Sequence, residues 1–215
     1  MSKTDYFQAF EEDKVYHVYN RTNGGEKLFR CDENYRYFLS KWKQYLSPYV
    51  ATRSFCLIPN HFHFQIRVHE VTEKIKAAIA KENSKRGERY LNGEAAYSHF
   101  IEGQLKRMLS SYVLSFNKKY NRNGSLLQKR TRRVVLIDAT NQCRNIAYNH
   151  HNPIHHNLCD NYGTWKWCSY NAFLSDQSSS LAREECIDLF GGFAAFLAFH
   201  ESFKMSEAEA KSWEP

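Results

Sequence analysis

The sequence predicts an α+β fold in which helices cover a central antiparallel β-sheet. Runs that alternate in polarity or are rich in β-branched residues indicate four strands. These runs are VYHVYNR (15–21), VATRSFCLI (50–58), HFHFQIRV (61–68) and RRVVLID (132–138). Segments with helical spacing of apolar residues separate the first strand from the second and the third from the fourth. The order β-α-β-β-α-β, followed by one further helix, is that of a ferredoxin-like or RNA-recognition-like split βαβ plan.

The first helix follows the turn NGGEKLF. Asp32 is a residue type that favours the N-cap of a helix, and Pro48 lies where the helix is expected to end. The second and third strands are joined only through Pro59 and Asn60, residues that favour a tight turn, so these strands are predicted to form a hairpin. The apolar positions of the first helix recur at helical spacing and are Tyr35, Phe38, Leu39, Trp42 and Leu46.

Two more helical segments and a polar stretch precede the fourth strand. A helix is predicted over 71–81. The polar sequence KENSKRGERYLNGEAAYSH then fills most of residues 82–100 and is too long for a plain connector. We expect this stretch to be mobile or to respond to a substrate. A long amphipathic helix follows, with the apolar stripe Ile101, Leu105, Met108, Leu109, Tyr112 and Phe116.

The composition is that of a globular protein with one well-packed domain. The chain has 215 residues, of which 42% are hydrophobic and 15% aromatic, enough for a sizeable core. The N-terminal sequence lacks the apolar region of a signal peptide, and no apolar run is long enough to span a membrane, so a cytoplasmic protein is expected. The six cysteines form no C-x-x-C pair, and we expect reduced thiols.

The net charge of +7 is unevenly distributed. Residues 118–133 (KKYNRNGSLLQKRTRR) contain seven basic residues and no acid, whereas residues 181–215 are predominantly acidic. Aromatic, glycine and asparagine residues interleave with the basic ones, which favours a nucleic-acid strand as the partner over a merely solvated charge run. The candidate contacts to DNA phosphates are Lys118, Lys119, Arg122, Lys129, Arg130, Arg132 and Arg133.

The third strand carries two histidines in an apolar run. Because side chains alternate across a strand, His61, His63 and Gln65 share one face, while Phe62 and Phe64 point to the other. Two imidazoles alone do not make a metal site, so a third ligand and a reactive group are needed elsewhere in the chain.

The helix predicted after the fourth strand, over 139–153, has two different faces. Its apolar side carries Cys143, Ile146, Ala147 and His150, and also Ile154 if the helix continues that far. Its opposite side carries Asn141, Asn145, Tyr148 and Asn152. Tyr148 and Asn152 are one helical turn apart, and Pro153 indicates that Asn152 lies in the last turn or at the cap. A tyrosine beside a stripe of carboxamides is a candidate for chemistry.

Four segments together resemble the REP-associated tyrosine transposases, of the single-tyrosine branch of the HUH endonucleases. These segments are YHVYNRTNGGEKLF, CLIPNHFHFQIRV, YNHHNPIHHNL and WKWCSYNAFL, and the similarity runs from about residue 14 to about residue 200. The resemblance implies that His61, His63 and Asn152 bind a divalent cation and that Tyr148 is the nucleophile. The chain departs from the family in NHHNPIHHN, whose four histidines leave room for a further metal contact by His150, His151, His155 or His156.

The resemblance also implies the reaction and its partners. We expect a transposase that nicks and joins single-stranded DNA near hairpin (REP-like) elements through a 5′-phosphotyrosine intermediate, with Mg²⁺ or Mn²⁺ as cofactor, acting as a monomer or homodimer. Residues 1–176 would form the catalytic domain, and 177–215 an acidic helical extension. Two alternatives remain open. One is a non-catalytic nucleic-acid-binding protein of RNA-recognition type, and the other is a zinc nuclease built from the histidines of 150–156.

Overall fold

The computed structural model describes residues 5–206, 210, 213 and 214. In this part of the chain four antiparallel strands form one sheet in the order β2-β3-β1-β4. The strands are β1 (Val15–Arg21), β2 (Val50–Ile58), β3 (His61–Val68) and β4 (Arg132–Val135). The helices are α1 (Asp32–Tyr45), α2 (Glu73–Glu82), α3 (Lys85–Leu91), α4 (Tyr97–Lys119), α5 (Ala139–His155), α6 (Tyr170–Phe173), α7 (Arg183–Leu189) and α8 (Phe193–Ser202). The predicted α+β fold is confirmed.

The apolar face of the sheet packs against α1 and α4. Phe62 and Phe64 of β3 are fully buried there, and the ring of Trp42 from α1 stacks on Phe64 with centroids 3.6 Å apart. Burying one such side chain contributes roughly 1.5–3 kcal/mol, so this layer is the main source of stability. The predicted stripes of both helices lie in this core, apart from the half-buried Leu39 at its margin.

Two predicted boundaries are wrong, each for a local reason. Cys31, not Asp32, is the N-cap of α1, and the Asp32 carboxylate instead pairs with Lys166 from a distant loop. The fourth strand ends at Val135 because the chain turns so that Asp138 can cap α5, accepting a hydrogen bond from the backbone N–H of Asn141 at 2.8 Å.

The polar stretch 82–100 is partly helical, and its expected mobility or response to a substrate stays a prediction. Asn83 ends α2 in the left-handed conformation, and the Ser84 hydroxyl then caps α3 by accepting from the N–H of Gly87. Gly87 allows α3 to lie close to α2, since a Cβ there would be 2.9 Å from the Ile79 side chain. Capping chemistry therefore outweighs the polar composition of this stretch.

Helix α5 lies on the other, polar face of the sheet and continues through Pro153 to His155. Asn152 therefore lies in the last turn, as predicted. Proline removes the hydrogen bond that the carbonyl of Asn149 would accept. That oxygen lies instead 3.8 Å from the thiol of Cys168, which explains how the helix tolerates the proline.

The expected extension packs on the outer side of α5. Ile146 of α5 forms a buried cluster with Phe173, Cys186 and Phe196. Residues 207–209, 211, 212 and 215 of this extension lie outside the described residues, and the boundary at 176 stays a prediction. No described helix is long and apolar enough to cross a membrane.

An ion pair links the extension to the sheet. The Arg53 side chain of β2 is only 2% exposed; its guanidinium lies 3.2 Å from the Glu185 carboxylate of α7 and donates to Gln142 Oε1 at 2.7 Å. Glu185 also accepts from Arg67 at 3.0 Å. Removing the carboxylate charge would leave a buried guanidinium without its counter-ion.

We therefore expect Glu185→Gln to lower the free energy of unfolding by about 1–3 kcal/mol, because a charged hydrogen bond is lost at a buried partner. Urea denaturation followed by circular dichroism measures this. The matched control is Glu184→Gln on the exposed side of the same helix, which should change stability by less than about 0.5 kcal/mol. Equal losses in the two variants would contradict a specific role for the Arg53–Glu185 pair.

Candidate active site

Two neighbouring strands supply a row of imidazole and phenol rings on the polar face of the sheet. The register pairs Tyr19 with His63, Arg21 with His61, and His17 with Gln65. Paired residues point to the same face, so the side chains of β1 join those of β3. The rings of His17, Tyr19 and His63 are stacked, with centroids 4.4–5.7 Å apart. Neither His17 nor Tyr19 is among the site residues predicted from the sequence, although the alternation of VYHVYNR places them on one face.

Hydrogen bonds fix the orientation of both predicted ligand imidazoles. The Nδ1–H of His61 donates to the Asn60 Oδ1 at 3.0 Å, so its Nε2 carries the lone pair. His63 Nδ1 lies 3.0 Å from His17 Nε2. When His63 donates from Nδ1, its Nε2 likewise carries a lone pair. Such outer hydrogen bonds are the usual way in which proteins orient metal-binding histidines.

Helix α5 brings Tyr148 and Asn152 onto this face. The phenol ring of Tyr148 meets the His63 ring edge-on with centroids 5.3 Å apart, and Asn152 Nδ2 donates to the Tyr148 hydroxyl at 3.2 Å. Both side chains are fully buried. The sheet covers the polar side of α5 and the extension covers its apolar side.

The unpartnered polar atoms of this site fit a cation. His61 Nε2, His63 Nε2 and Asn152 Oδ1 are buried and have no hydrogen-bond partner. Leaving a buried acceptor unpaired costs about 1–3 kcal/mol, and few native groups are left so. Two imidazole nitrogens and a carboxamide oxygen are a donor set that could hold a divalent cation, with water completing the shell. The residues present therefore fit a divalent metal ion.

A carboxylate that the sequence did not point to also lies in the site. Glu214 Oε1 accepts from the Tyr148 hydroxyl at 3.0 Å and lies 3.2 Å from His156 Nε2 and 3.4 Å from Asn152 Nδ2. The ligand atoms of His61, His156 and Glu214 all lie within 4.8 Å of one another, a grouping that could hold a metal ion. No sequence signal identifies Glu214, because it is remote along the chain and its neighbours carry no motif.

Burial sets the protonation of these groups. It lowers the pKa of His61 to about 4 and that of His17 to about 3, and it holds the pKa of His63 well below its usual value. These rings are therefore neutral at pH 7, as metal ligands must be. Burial, together with the nearby Glu214 charge, raises the pKa of the Tyr148 phenol well above its usual value. A buried phenol beside a carboxylate is a poor nucleophile until its surroundings change.

The carboxylate itself stays ionised. Burial works against its charge, but the hydrogen bond from His156 and the nearby imidazoles lower the pKa of Glu214 to about 2. Trp213 packs edge-on against the Tyr148 ring, with centroids 5.0 Å apart. Residues 213 and 214 thus place one indole and one anion over the phenol.

The four histidines of the NHHNPIHHN segment do not converge. His150 is buried between His200 Nε2 and the Ser169 hydroxyl, each 2.8 Å away, which makes it a packed, hydrogen-bonded residue. His151 contacts Tyr162, and His155 is exposed. Only His156 reaches the candidate metal ligands among the described residues. A zinc site made from this segment alone is therefore not formed.

Other tyrosines near the basic segment lie away from this site. The Tyr112 hydroxyl donates to the carbonyl of Leu28 in the apolar core, as expected of a structural residue, and the Tyr120 hydroxyl donates to Asn34. Neither belongs to the polar face that carries His61 and His63.

The predicted DNA-contacting residues divide into two groups. Arg122 pairs with Glu26 at 2.5 Å, Lys119 with Glu33, and Arg133 with Glu102. Half-buried Arg132 lies over the rings of Tyr6 and Tyr19. Lys118, Lys129 and Arg130 are at exposed positions without a described acidic partner, and the Arg130 guanidinium lies over the Phe7 ring, 3.7 Å from its centroid. Helix α4 and residues 121–131 of the basic segment line a groove of about 1240 Å³. Its DNA contacts remain predictions.

This chain is thus an α+β protein with helices on both faces of an antiparallel sheet and a polar site beneath one of them. The fold is shared with a solved structure of a REP-associated tyrosine transposase bound to a REP hairpin. The match has a TM-score of 0.53 and covers 81% of this chain and 87% of that one, at 11% sequence identity. It confirms the fold that the resemblance implied. No protein-family model matches the sequence, and no curated protein does.

Proposed function

We propose that this protein is a metal-dependent single-stranded DNA endonuclease and strand transferase, a transposase that acts near DNA hairpins. One observation carries the proposal. The three residues expected as metal ligands from the sequence present His61 Nε2, His63 Nε2 and Asn152 Oδ1 as buried atoms without partners, and the Asn152 amide donates to the Tyr148 hydroxyl. The shared fold with a transposase bound to a DNA hairpin supports the same function.

The proposed reaction is an in-line displacement at a phosphodiester. The Tyr148 oxygen attacks phosphorus as the phenol loses its proton, the bond from phosphorus to the 3′ oxygen breaks, and the departing 3′ oxygen takes up a proton. The products are a 5′-phosphotyrosine and a free 3′-hydroxyl. When bound, the cation would polarise the phosphate and stabilise the developing charge. A 3′-hydroxyl can attack the phosphotyrosine in the reverse sense, so joining two strands needs no other energy source.

The chain's own residues supply orientation. Asn60 and His17 hold the two imidazoles, and Asn152 holds the phenol oxygen one helical turn away. Positioning of this kind can supply several kcal/mol of the barrier reduction. Domain boundaries, the partner DNA and a monomeric or homodimeric state belong to the proposal and rest on the resemblance.

A non-catalytic binder of RNA-recognition type lacks its usual surface here. Such proteins stack bases on exposed aromatic residues of the open sheet face. In this protein α5 covers that face, and His61 and His63 are at most 2% exposed. The buried polar set is better explained by chemistry than by strand binding on the sheet.

Tyr148→Phe removes only the hydroxyl, so we expect folding and DNA binding to persist while cleavage is lost. Incubation of the wild-type protein with hairpin-bearing single-stranded DNA and Mn²⁺ should give a covalent adduct. Mass spectrometry of the tryptic peptides should place the nucleotide on Tyr148. Tyr120→Phe is the matched control and should cleave normally. A nucleotide attached to Tyr112 or Tyr120 would prove the assignment wrong.

We expect the double variant His61→Ala, His63→Ala to lose Mn²⁺ binding, because both imidazole ligands are removed. Electron paramagnetic resonance of Mn²⁺ titrated with protein measures this without relying on activity. His155→Ala, an exposed histidine of the same neighbourhood, should bind Mn²⁺ as wild type does. Full Mn²⁺ affinity in the double variant would remove the metal site from the proposal.

Glu214→Gln is expected to accelerate single-turnover cleavage. The carboxylate holds the Tyr148 hydroxyl and repels a phosphate from the same position, so its loss removes a competing anion and lowers the phenol pKa. Glu201→Gln, an exposed carboxylate of α8, is the control. Slower cleavage together with weaker Mn²⁺ binding would instead make Glu214 a ligand of the metal.

A further inference from the structure

A pocket with aromatic walls opens at the end of the sheet where β2 turns into β3. Its volume is about 390 Å³. Phe29, Tyr35, Trp165 and Trp167 contribute rings to its lining, and Pro59 contributes the turn itself. Both tryptophans are half-buried, so part of each indole remains accessible. The pocket is separate from the candidate metal ligands, none of which lines it.

The two indoles are held rigidly. The segment carrying them runs beside β2, where the Leu57 N–H donates to the Trp167 carbonyl and the Trp165 indole N–H donates to the Leu57 carbonyl, both at 2.9 Å. The Trp167 ring stacks on Tyr35 with centroids 4.6 Å apart and planes 5° apart. An aromatic surface fixed in this way loses little side-chain entropy when a planar ligand stacks on it.

Basic residues outnumber acidic ones around these rings. Lys27 and Arg30 line the pocket and are exposed, and Asp32 is the acidic residue of its lining. Lys166 lies 5.2 Å from the Trp167 ring centroid, although its ammonium is paired with Asp32 at 2.5 Å. Cations at the edge of an aromatic pocket match a ligand that combines a flat ring with a phosphate. Unpaired nucleotides have this chemistry.

The pocket adjoins the proposed cleavage site. The carbonyl of Pro59 accepts from the N–H groups of Leu28 and Phe29, at 2.6 and 3.0 Å, which ties the pocket wall to the β2–β3 turn. His61 begins β3 two residues after Pro59, so the pocket and this candidate metal ligand lie at the same end of the sheet.

The basic segment reaches the same end of the sheet from the opposite side. The backbone of Gln128 donates to the carbonyl of Arg21 at 2.9 Å, and Arg21 pairs with His61 across β1 and β3. His61 is therefore flanked by the basic segment on one side and by the Trp165–Trp167 pocket on the other. A strand that enters the site at this end of the sheet would pass close to both.

We infer that the Trp165–Trp167 pocket binds an unpaired base of the DNA strand, close to the phosphate that is cleaved. The inference rests on the proposed function and adds a second contact point for the same strand. Stacking on an indole tolerates any base, so the pocket would anchor the single-stranded flank of a hairpin without reading its sequence.

The test measures binding of Tyr148→Phe protein to two DNA hairpins by fluorescence anisotropy. One hairpin carries short oligothymidine flanks, and the other carries flanks of the same length made of abasic nucleotides. Adding Trp167→Ala should weaken binding to the thymidine-flanked hairpin on the order of ten-fold, because base–aromatic stacking is lost. Binding to the abasic-flanked hairpin should not change. Trp167→Phe should restore most of the difference, and Phe193→Ala, an exposed aromatic elsewhere, should have no effect.

The outcomes separate this inference from the proposed function. If Trp167→Ala loses the same affinity for both hairpins, or loses none for either, the base-binding pocket is wrong. A Tyr148 adduct in the wild-type protein would still support the transposase proposal. Failure of the wild-type protein to bind or cleave any hairpin would overturn both. Circular dichroism melting of each variant tests whether the fold persists. If Trp167→Ala lowers the melting temperature, the binding of Trp167→Phe to the two hairpins decides between the outcomes.

Discussion

The structure depends on one constraint: helix α5 lies across the polar face of the sheet, where nearly every side chain must find a partner inside the protein. Asn149 donates to Ser54, and Asn145 accepts from Gln65, so the helix is held by carboxamides as much as by apolar contacts. Groups without hydrogen-bond partners in a buried polar layer cost free energy. A fully hydrogen-bonded layer instead fixes the positions of its side chains. Atoms of the candidate metal ligands His61, His63 and Asn152 are among those that remain without a partner, as are atoms of Gln65, Asn145 and Asn149 in the same layer.

The opposite side of α5 meets a second, apolar layer from the extension. A helix buried on both sides cannot shift along one layer without disturbing the other. Tyr148 and Asn152 therefore share a fixed separation from His61 and His63. The Arg53–Glu185 pair joins the sheet to the extension, and the His150–His200 contact joins α5 to the extension. The position of the phenol relative to the imidazoles is thus determined by tertiary packing, not by the helix alone.

The strands, the hairpin and the two faces of α5 could be predicted from the sequence because each depends on residues close together along the chain. Alternation fixes which side of β3 carries His61 and His63, and helical spacing puts Tyr148 beside Asn152. The helix that Ser84 caps was not predicted, because a polar composition by itself does not distinguish a short capped helix from a mobile loop. Glu214 and Trp213 could not have been found, since only tertiary folding brings that part of the chain to the phenol. The partner of Asp32, a lysine more than a hundred residues away, is hidden for the same reason.

The stack formed by Tyr19, His17 and His63 has a consequence for how the site would respond to its ligands. Three stacked rings, tilted by 17–22° from one another, lie between the sheet and α5 and leave the His63 imidazole little freedom to rotate. A metal-binding nitrogen that is already oriented loses little conformational freedom when it binds a cation. The surrounding backbone then need not move. The histidine side of the site would behave as a preformed template, and whatever adjustment accompanies a reaction cycle would fall on the opposite wall, where Trp213 and Glu214 lie against the phenol.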